Sequence, residues 1–153
     1  MNGWKGKCLI VSGRMSSQDI RVFDTEPLIA FFFDEDGSDV VQQHLQDVRD
    51  GAVGVISRIN LTEVMYIAAN EADLATAKTI VRSIRDFGFE VVESMATWET
   101  AGMIKHTHSI ALGDSYAVAA ADHCGGTLIV GADDDFDSIT EVPITQFRTD
   151  PAP

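Results

Sequence analysis

Ile20-Arg21-Val22-Phe23-Asp24-Thr25-Glu26-Pro27 changes character in mid-stretch. The run Ile20–Phe23 is strand-like and closes on an acid, Asp24. Thr25 is a suitable helix N-cap, and Pro27 fits an early helical turn ahead of Leu28–Phe33. The same junction recurs late in the chain, where Leu128-Ile129-Val130-Gly131-Ala132 closes on Asp133. A strand that yields at once to a helix is the building unit of a parallel, helix-covered sheet.

Between these junctions the pattern repeats. Asp34-Glu35-Asp36-Gly37 breaks the first helix, and Ser38 or Asp39 opens a second that reaches about Arg49. Gly51 through Ile56 reads as a strand, after which Ser57 or Asn60 caps a helix carrying Glu63. Helical spacing continues over 72–87 with Leu74, Ala77, Ile80, Val81 and Ile84, and Gly88 stops it before a third strand, Phe89–Val92. Residues 97–106 and 114–123 are expected to be helical, Thr127–Val130 is a fourth strand, and Val142–Ile144 is a short edge. The expected fold is α/β, with a mainly parallel central sheet of four to five strands covered by helices.

The 153 residues suffice for one domain with a substantial core, and a hydrophobic fraction of 45% fits a globular chain. No apolar run approaches the roughly 20 residues of a membrane span, and Leu9-Ile10-Val11 is too short for a signal peptide centre. A cytoplasmic location is expected, with no membrane partner. Twenty-four acids face eleven bases, a net charge of −13; sixteen of the acids are Asp, and Lys occurs four times. That balance argues against binding nucleic acid through a broad basic face. It leaves either a basic partner or adaptation to very high salt, where self-repulsion is screened. The spread of the acids along the whole chain favours the second, and with it a salt-loving source.

Residues 1–14 hold Lys5, Lys7 and Arg14 and no acid. They are expected to be a basic extension, either disordered or the product of an upstream start, since Met15 offers another. The folded domain is expected over 15–147, with a tail at 148–153.

Asp24, Glu63, Asp114 and Asp133 each fall where an element changes, at strand ends or helix starts. In an open α/β sheet those points line one crevice. Carboxylates converging there repel one another unless a hard cation neutralises them, so Mg²⁺ or Mn²⁺ and phosphate-ester chemistry are expected.

Four segments then carry a resemblance. Phe23-Asp24-Thr25, Asn60-Leu61-Thr62-Glu63-Val64, Leu112-Gly113-Asp114-Ser115-Tyr116-Ala117-Val118-Ala119-Ala120-Ala121 and Leu128-Ile129-Val130-Gly131-Ala132-Asp133-Asp134-Asp135-Phe136 stand in the order and context of the PIN-domain nucleases. Over about residues 20–145 the chain resembles that family, and within it the VapC-type toxins. The resemblance implies a PIN-like α/β/α sandwich and a metal-dependent endoribonuclease, with Asp24, Glu63, Asp114 and Asp133 holding one or two Mg²⁺ or Mn²⁺ ions. Metal-bound water would attack in line, leaving 5′-phosphate and 3′-hydroxyl ends. Thr25 and Asp135 would support the ligands from behind. The implied partners are RNA, a small antitoxin whose tail covers the acidic crevice, and a second copy in a homodimer. The chain departs from the family where Gly131 replaces a usual Ser or Thr and Glu26 a usual Ser or Asn. The alternative is a catalytically weak PIN domain that acts as an RNA- or protein-binding module.

Other features point less far. Arg58, Lys105 and His106 are candidate RNA contacts. His106 and His108 lack a third zinc ligand nearby. Asp133 to Asp137 starts like a calcium loop, but Ser138 stands at the turn glycine and Ile144 where a bidentate Glu belongs. Phe31-Phe32-Phe33 is expected in the core or at a dimer contact.

Overall fold

The computed structural model describes residues 18–148. The expected basic extension at 1–14 lies outside the described residues, as does the tail beyond 148. Five strands form one sheet in the order β3-β2-β1-β4-β5, and every neighbouring pair is parallel. They are β1 Ile20–Phe23, β2 Val53–Ser57, β3 Glu90–Val92, β4 Thr127–Val130 and β5 Ile144–Gln146. Six helices accompany them: α1 Thr25–Phe32, α2 Ser38–Arg49, α3 Arg58–Glu71, α4 Leu74–Asp86, α5 Ser94–Thr107 and α6 Leu112–Cys124. The mainly parallel, helix-covered sheet expected from the alternating pattern is the one observed, in the α/β/α arrangement that the resemblance implies.

Strand alternation divides the core in two. Val22, Val55, Leu128 and Val130 face a cluster that holds Ile104 of α5 and Ala117, Val118, Ala120 and Ala121 of α6. Phe23, Ile56 and Ile129 face the opposite cluster, built from α1 to α4 with Leu28, Val41, Leu45, Val64, Ile80 and Ile84. The run of alanines lets α6 pack tightly over the sheet centre, and so brings its N-terminus over the strand ends.

Local signals set the helix starts. Ser57 Oγ accepts the Asn60 N–H at 3.0 Å and opens α3, while Asp73 accepts the Thr76 N–H at 2.6 Å and opens α4. The helical pattern expected from residue 72 therefore begins two residues later, after a break at Ala72 and Asp73. At α1 the N-cap is Asp24 rather than Thr25. Phe89 precedes β3 and packs edge-on to Phe23, ring centroids 4.9 Å apart. The last strand falls two residues beyond the expected edge, because Val142 turns into the core and leaves Ile144–Gln146 to pair with β4. Phe31, Phe32 and Phe33 are half-buried against the α1–α4 cluster.

The strand order fixes where a ligand site can form. From β1 the chain moves outward through β2 to β3, then returns to the other side of β1 with β4. The switch lies between the C-terminal ends of β1 and β4, where such sheets open a crevice.

Candidate metal centre

Asp24 follows the last residue of β1 and is 4% exposed. Its backbone N–H donates to Ile129 O at 3.0 Å, which ties it to β4. Glu63 and Asn60 enter from α3, Asp114 from the first turn of α6, and Asp133 from the residue capping a short 3₁₀ turn, Asp134–Phe136. Asp133 Oδ1 accepts the Asp135 N–H at 2.9 Å. One oxygen each from Asp114, Asp133 and Asp135 lie within 4.8 Å of one another. Asp135, expected behind the ligands, thus stands in the same group as two of them.

Asn60 organises the other half. It is fully buried, and Nδ2 lies within reach of Glu63 Oε1 at 3.0 Å, Gly113 O at 3.1 Å, Thr25 Oγ1 at 3.2 Å and Asp24 Oδ1 at 3.4 Å. An amide nitrogen has two hydrogens, so it serves two of these at a time. Its Oδ1 accepts from Ser57 Oγ in a short contact. Thr25 Oγ1 donates to Glu63 Oε1 at 2.8 Å. Glu63 is therefore held by two donors, and Asn60 links β1, α3 and α6 at the point where the acids meet. In the sequence Asn60 is legible as a helix-cap candidate and as the start of the Asn60–Val64 segment, one helical turn before Glu63 and on the same face, but not as the link among the acids.

Two glycines make room. A Cβ at Gly113 would overlap the Glu63 carboxylate, and one at Gly131 would overlap the Glu26 carboxylate. The Glu26 carboxylate fills the space that any side chain at 131 would need. Glu26 and Gly131, read separately in the sequence, are thus spatial neighbours.

The charges do not relax. Burial first, then the charge of Asp114, holds the Asp24 carboxyl well above the ordinary carboxylate range, with smaller contributions from Glu63 and Glu26. Burial, then Glu63 and Asp133, push Asp114 up to about 6. Oxygen donors crowded in this way, with Asp24 and Asp114 held from ionising, fit a hard divalent cation, which would neutralise what the protein leaves opposed. Asp114, Asp133 and Asp135 have oxygens grouped closely enough to hold one, while Asp24 and Glu63 lie outside that group and share its field of charge.

The candidate RNA contacts stand in different situations. Arg58 forms a two-point ion pair with Glu93, at 2.6 and 3.1 Å. Lys105 Nζ donates to Ile110 O at 2.8 Å. His106 is exposed on the last turn of α5. His108 joins the α5–α6 connection to the loop after the acids, with Nδ1 3.0 Å from Ser138 Oγ and Nε2 2.7 Å from Glu141 Oε1.

Solved structures share this fold. VapBC from Salmonella typhimurium bound to DNA superposes with a TM-score of 0.67 at 14% identity, covering 86% of this chain and 100% of that one. VapBC2 from Rickettsia felis bound to a promoter DNA fragment gives 0.64 at 15%, covering 83% and 98%. A toxin–antitoxin complex from Klebsiella pneumoniae gives 0.62 at 21%, covering 84% and 98%. Among curated proteins, none matches the chain by sequence. The PIN domain family model matches residues 21–142, which span β1 through the loop after the acids. With that match covering most of its length, the chain belongs to the PIN domain family.

Proposed function

We propose that the protein is a metal-dependent endoribonuclease of VapC type, the toxin of a type II toxin–antitoxin pair. The observation that carries the reading is the grouping of Asp114, Asp133 and Asp135 oxygens within 4.8 Å, with Asp24 and Glu63 electrostatically coupled to Asp114 at the switch between β1 and β4. Bound Mg²⁺ or Mn²⁺, one or two ions, would acidify a water and stabilise charge on phosphate oxygens. Asp24, Asp114 and Asp133 serve as ligands. Asp135 joins them or steadies Asp133 through its N–H. Glu63, oriented by Thr25 and Asn60, is placed to bind the ion or accept a proton from the attacking water. The 3′-oxygen leaves, giving 5′-phosphate and 3′-hydroxyl ends.

The fold shared with the VapBC and toxin–antitoxin complexes supports a small antitoxin as partner, an arginine on its tail pairing with the acids. A homodimer and a cytoplasmic setting belong to the same reading; among the described residues no helix is long and apolar enough to cross a membrane. The −13 charge fits a cytoplasm rich in salt, where repulsion between the enzyme and RNA is screened. RNA is approached with His106 exposed, and with Arg58 and Lys105 available by exchanging their present partners. The test is cleavage of structured RNA at low and high KCl with Mg²⁺, Mn²⁺ or EDTA, by the wild type and by Asp24→Asn. Metal-dependent cuts lost in the variant are expected, and equal cutting by both proteins, or in EDTA, refutes the proposal.

A further inference from the structure

The Arg148 side chain, just beyond β5, is only 8% exposed. One Nη donates to the Glu26 carboxylate in a short contact, and the other to Asp36 O at 3.0 Å. The guanidinium carbon stands 4.7 Å from the Phe147 ring centroid. Nε is buried with no acceptor among the described residues. A cation this enclosed needs a fixed anion, and Glu26 is that anion.

Glu26 is confined from its other side as well. Its carboxylate lies against Gly131, just past the end of β4 and two residues before Asp133, in space that any side chain at 131 would take. It sits one helical position beyond Thr25, which itself bonds Glu63. The Glu26 carboxylate is therefore lodged between the end of β4 and Arg148, on the rim of the acidic crevice. None of the four acids read from the sequence forms an ion pair among the described residues. Glu26 brings the Arg148 cation to the rim.

We propose that Glu26 is a further carboxylate of the metal centre, beside Asp24, Glu63, Asp114, Asp133 and Asp135, and that Arg148 is its positioning residue, the pair setting the charge the centre presents to divalent cations. This rests on the reading of the crevice as a metal site. Removing the Arg148 charge leaves Glu26 uncompensated beside the other acids and tightens cation binding. Removing the Glu26 charge exposes the centre to the Arg148 field and weakens it. Removing both returns the centre close to its starting charge. An ion pair that merely fastened the segment after β5 to α1 would lower thermal stability when broken and leave cation affinity alone.

The experiment titrates Mn²⁺ calorimetrically into the metal-free full chain, comparing the wild type with Glu26→Gln, Arg148→Met and the double variant. Unfolding in EDTA is followed in parallel. The dissociation constant is expected to rise roughly fivefold in Glu26→Gln, fall by a similar factor in Arg148→Met, and lie within about twofold of wild type when both are present. Folded single variants that bind Mn²⁺ as the wild type does, or that shift in the same direction, overturn the assignment. Should Arg148→Met not fold, the near-isosteric Glu26→Gln decides alone: weaker binding supports the assignment, unchanged binding overturns it. A wild type that takes up no Mn²⁺ sinks the metal reading beneath it instead.

Discussion

Replacing Asp114 by Asn should make the metal-free protein more stable while removing its response to metal. In the fold, burial and the charges of Glu63 and Asp133 push the Asp114 carboxyl from an ordinary value near 3.8 to about 6. A group whose pKa is raised on folding contributes stability that is complete below its unfolded pKa and is lost as pH rises through its folded pKa. Ionised Asp114 therefore opposes folding above about pH 6. At about 1.36 kcal/mol per pH unit the full cost is roughly 3 kcal/mol, and partial solvation of the side chain reduces it to about 1–2 kcal/mol. Asn keeps the shape without the charge. For a chain of this size the variant should unfold about 3–6 °C higher than wild type in EDTA at pH 7.5, with the gap closing toward about pH 4. Mn²⁺ at about a hundred times its dissociation constant should stabilise the wild type by about 2.7 kcal/mol and the variant far less. Thermal unfolding by circular dichroism, in EDTA and in Mn²⁺ across this pH range, reads both effects. A variant no more stable than wild type at pH 7.5 in EDTA, or one that gains as much from Mn²⁺, refutes the reasoning.

Three further outcomes follow from the same geometry. Asn60→Ala strips the buried link among Glu63, Gly113 and Ser57 and should cost about 2–4 kcal/mol in urea unfolding, because it orphans buried polar groups; a loss below about 1 kcal/mol contradicts that role. Gly131→Ala should destabilise the wild type by roughly 1–3 kcal/mol but cost far less in a Glu26→Ala background, whose own loss comes from the unpaired Arg148 charge, and simple additivity in the double-mutant cycle would show that the two do not share the space. Raising KCl from about 0.1 to 2 M should lift the unfolding temperature by several degrees, because −13 net charge is then screened within about 3 Å or less; an unchanged or falling value contradicts the high-salt reading.

Much of the architecture is legible because strand and helix periods differ and because each junction carries its own chemistry. Ile20–Phe23 and Thr127–Val130 read as strands from their apolar runs, and the acids after them mark the crevice the strand order creates. The boundary between α3 and α4 is less legible, since helical spacing runs through Ala72 and Asp73 and only the cap at Asp73 betrays the break. The short edge strand is misplaced by two residues because Ile144–Gln146 is polar and half open, with no alternation to fix its register.

At the site, single residues at element ends announce themselves, while partnerships do not. Asn60 reads equally well as a helix cap, and nothing local says that its amide reaches four acceptors from three parts of the chain. Gly131 reads as a missing hydroxyl and Glu26 as an added charge, whereas in three dimensions one makes room for the other. Arg148 lies 122 residues from Glu26, and no pattern in a single sequence links them.

The central claim is that these carboxylates form a cation site, and anomalous diffraction from a crystal grown in Mn²⁺ tests it most directly. A peak within about 2–2.5 Å of oxygens from Asp114 and Asp133, in the crevice shared with Asp24, is the predicted result. No peak there at saturating Mn²⁺, with the same side chains ordered around empty solvent, would contradict it.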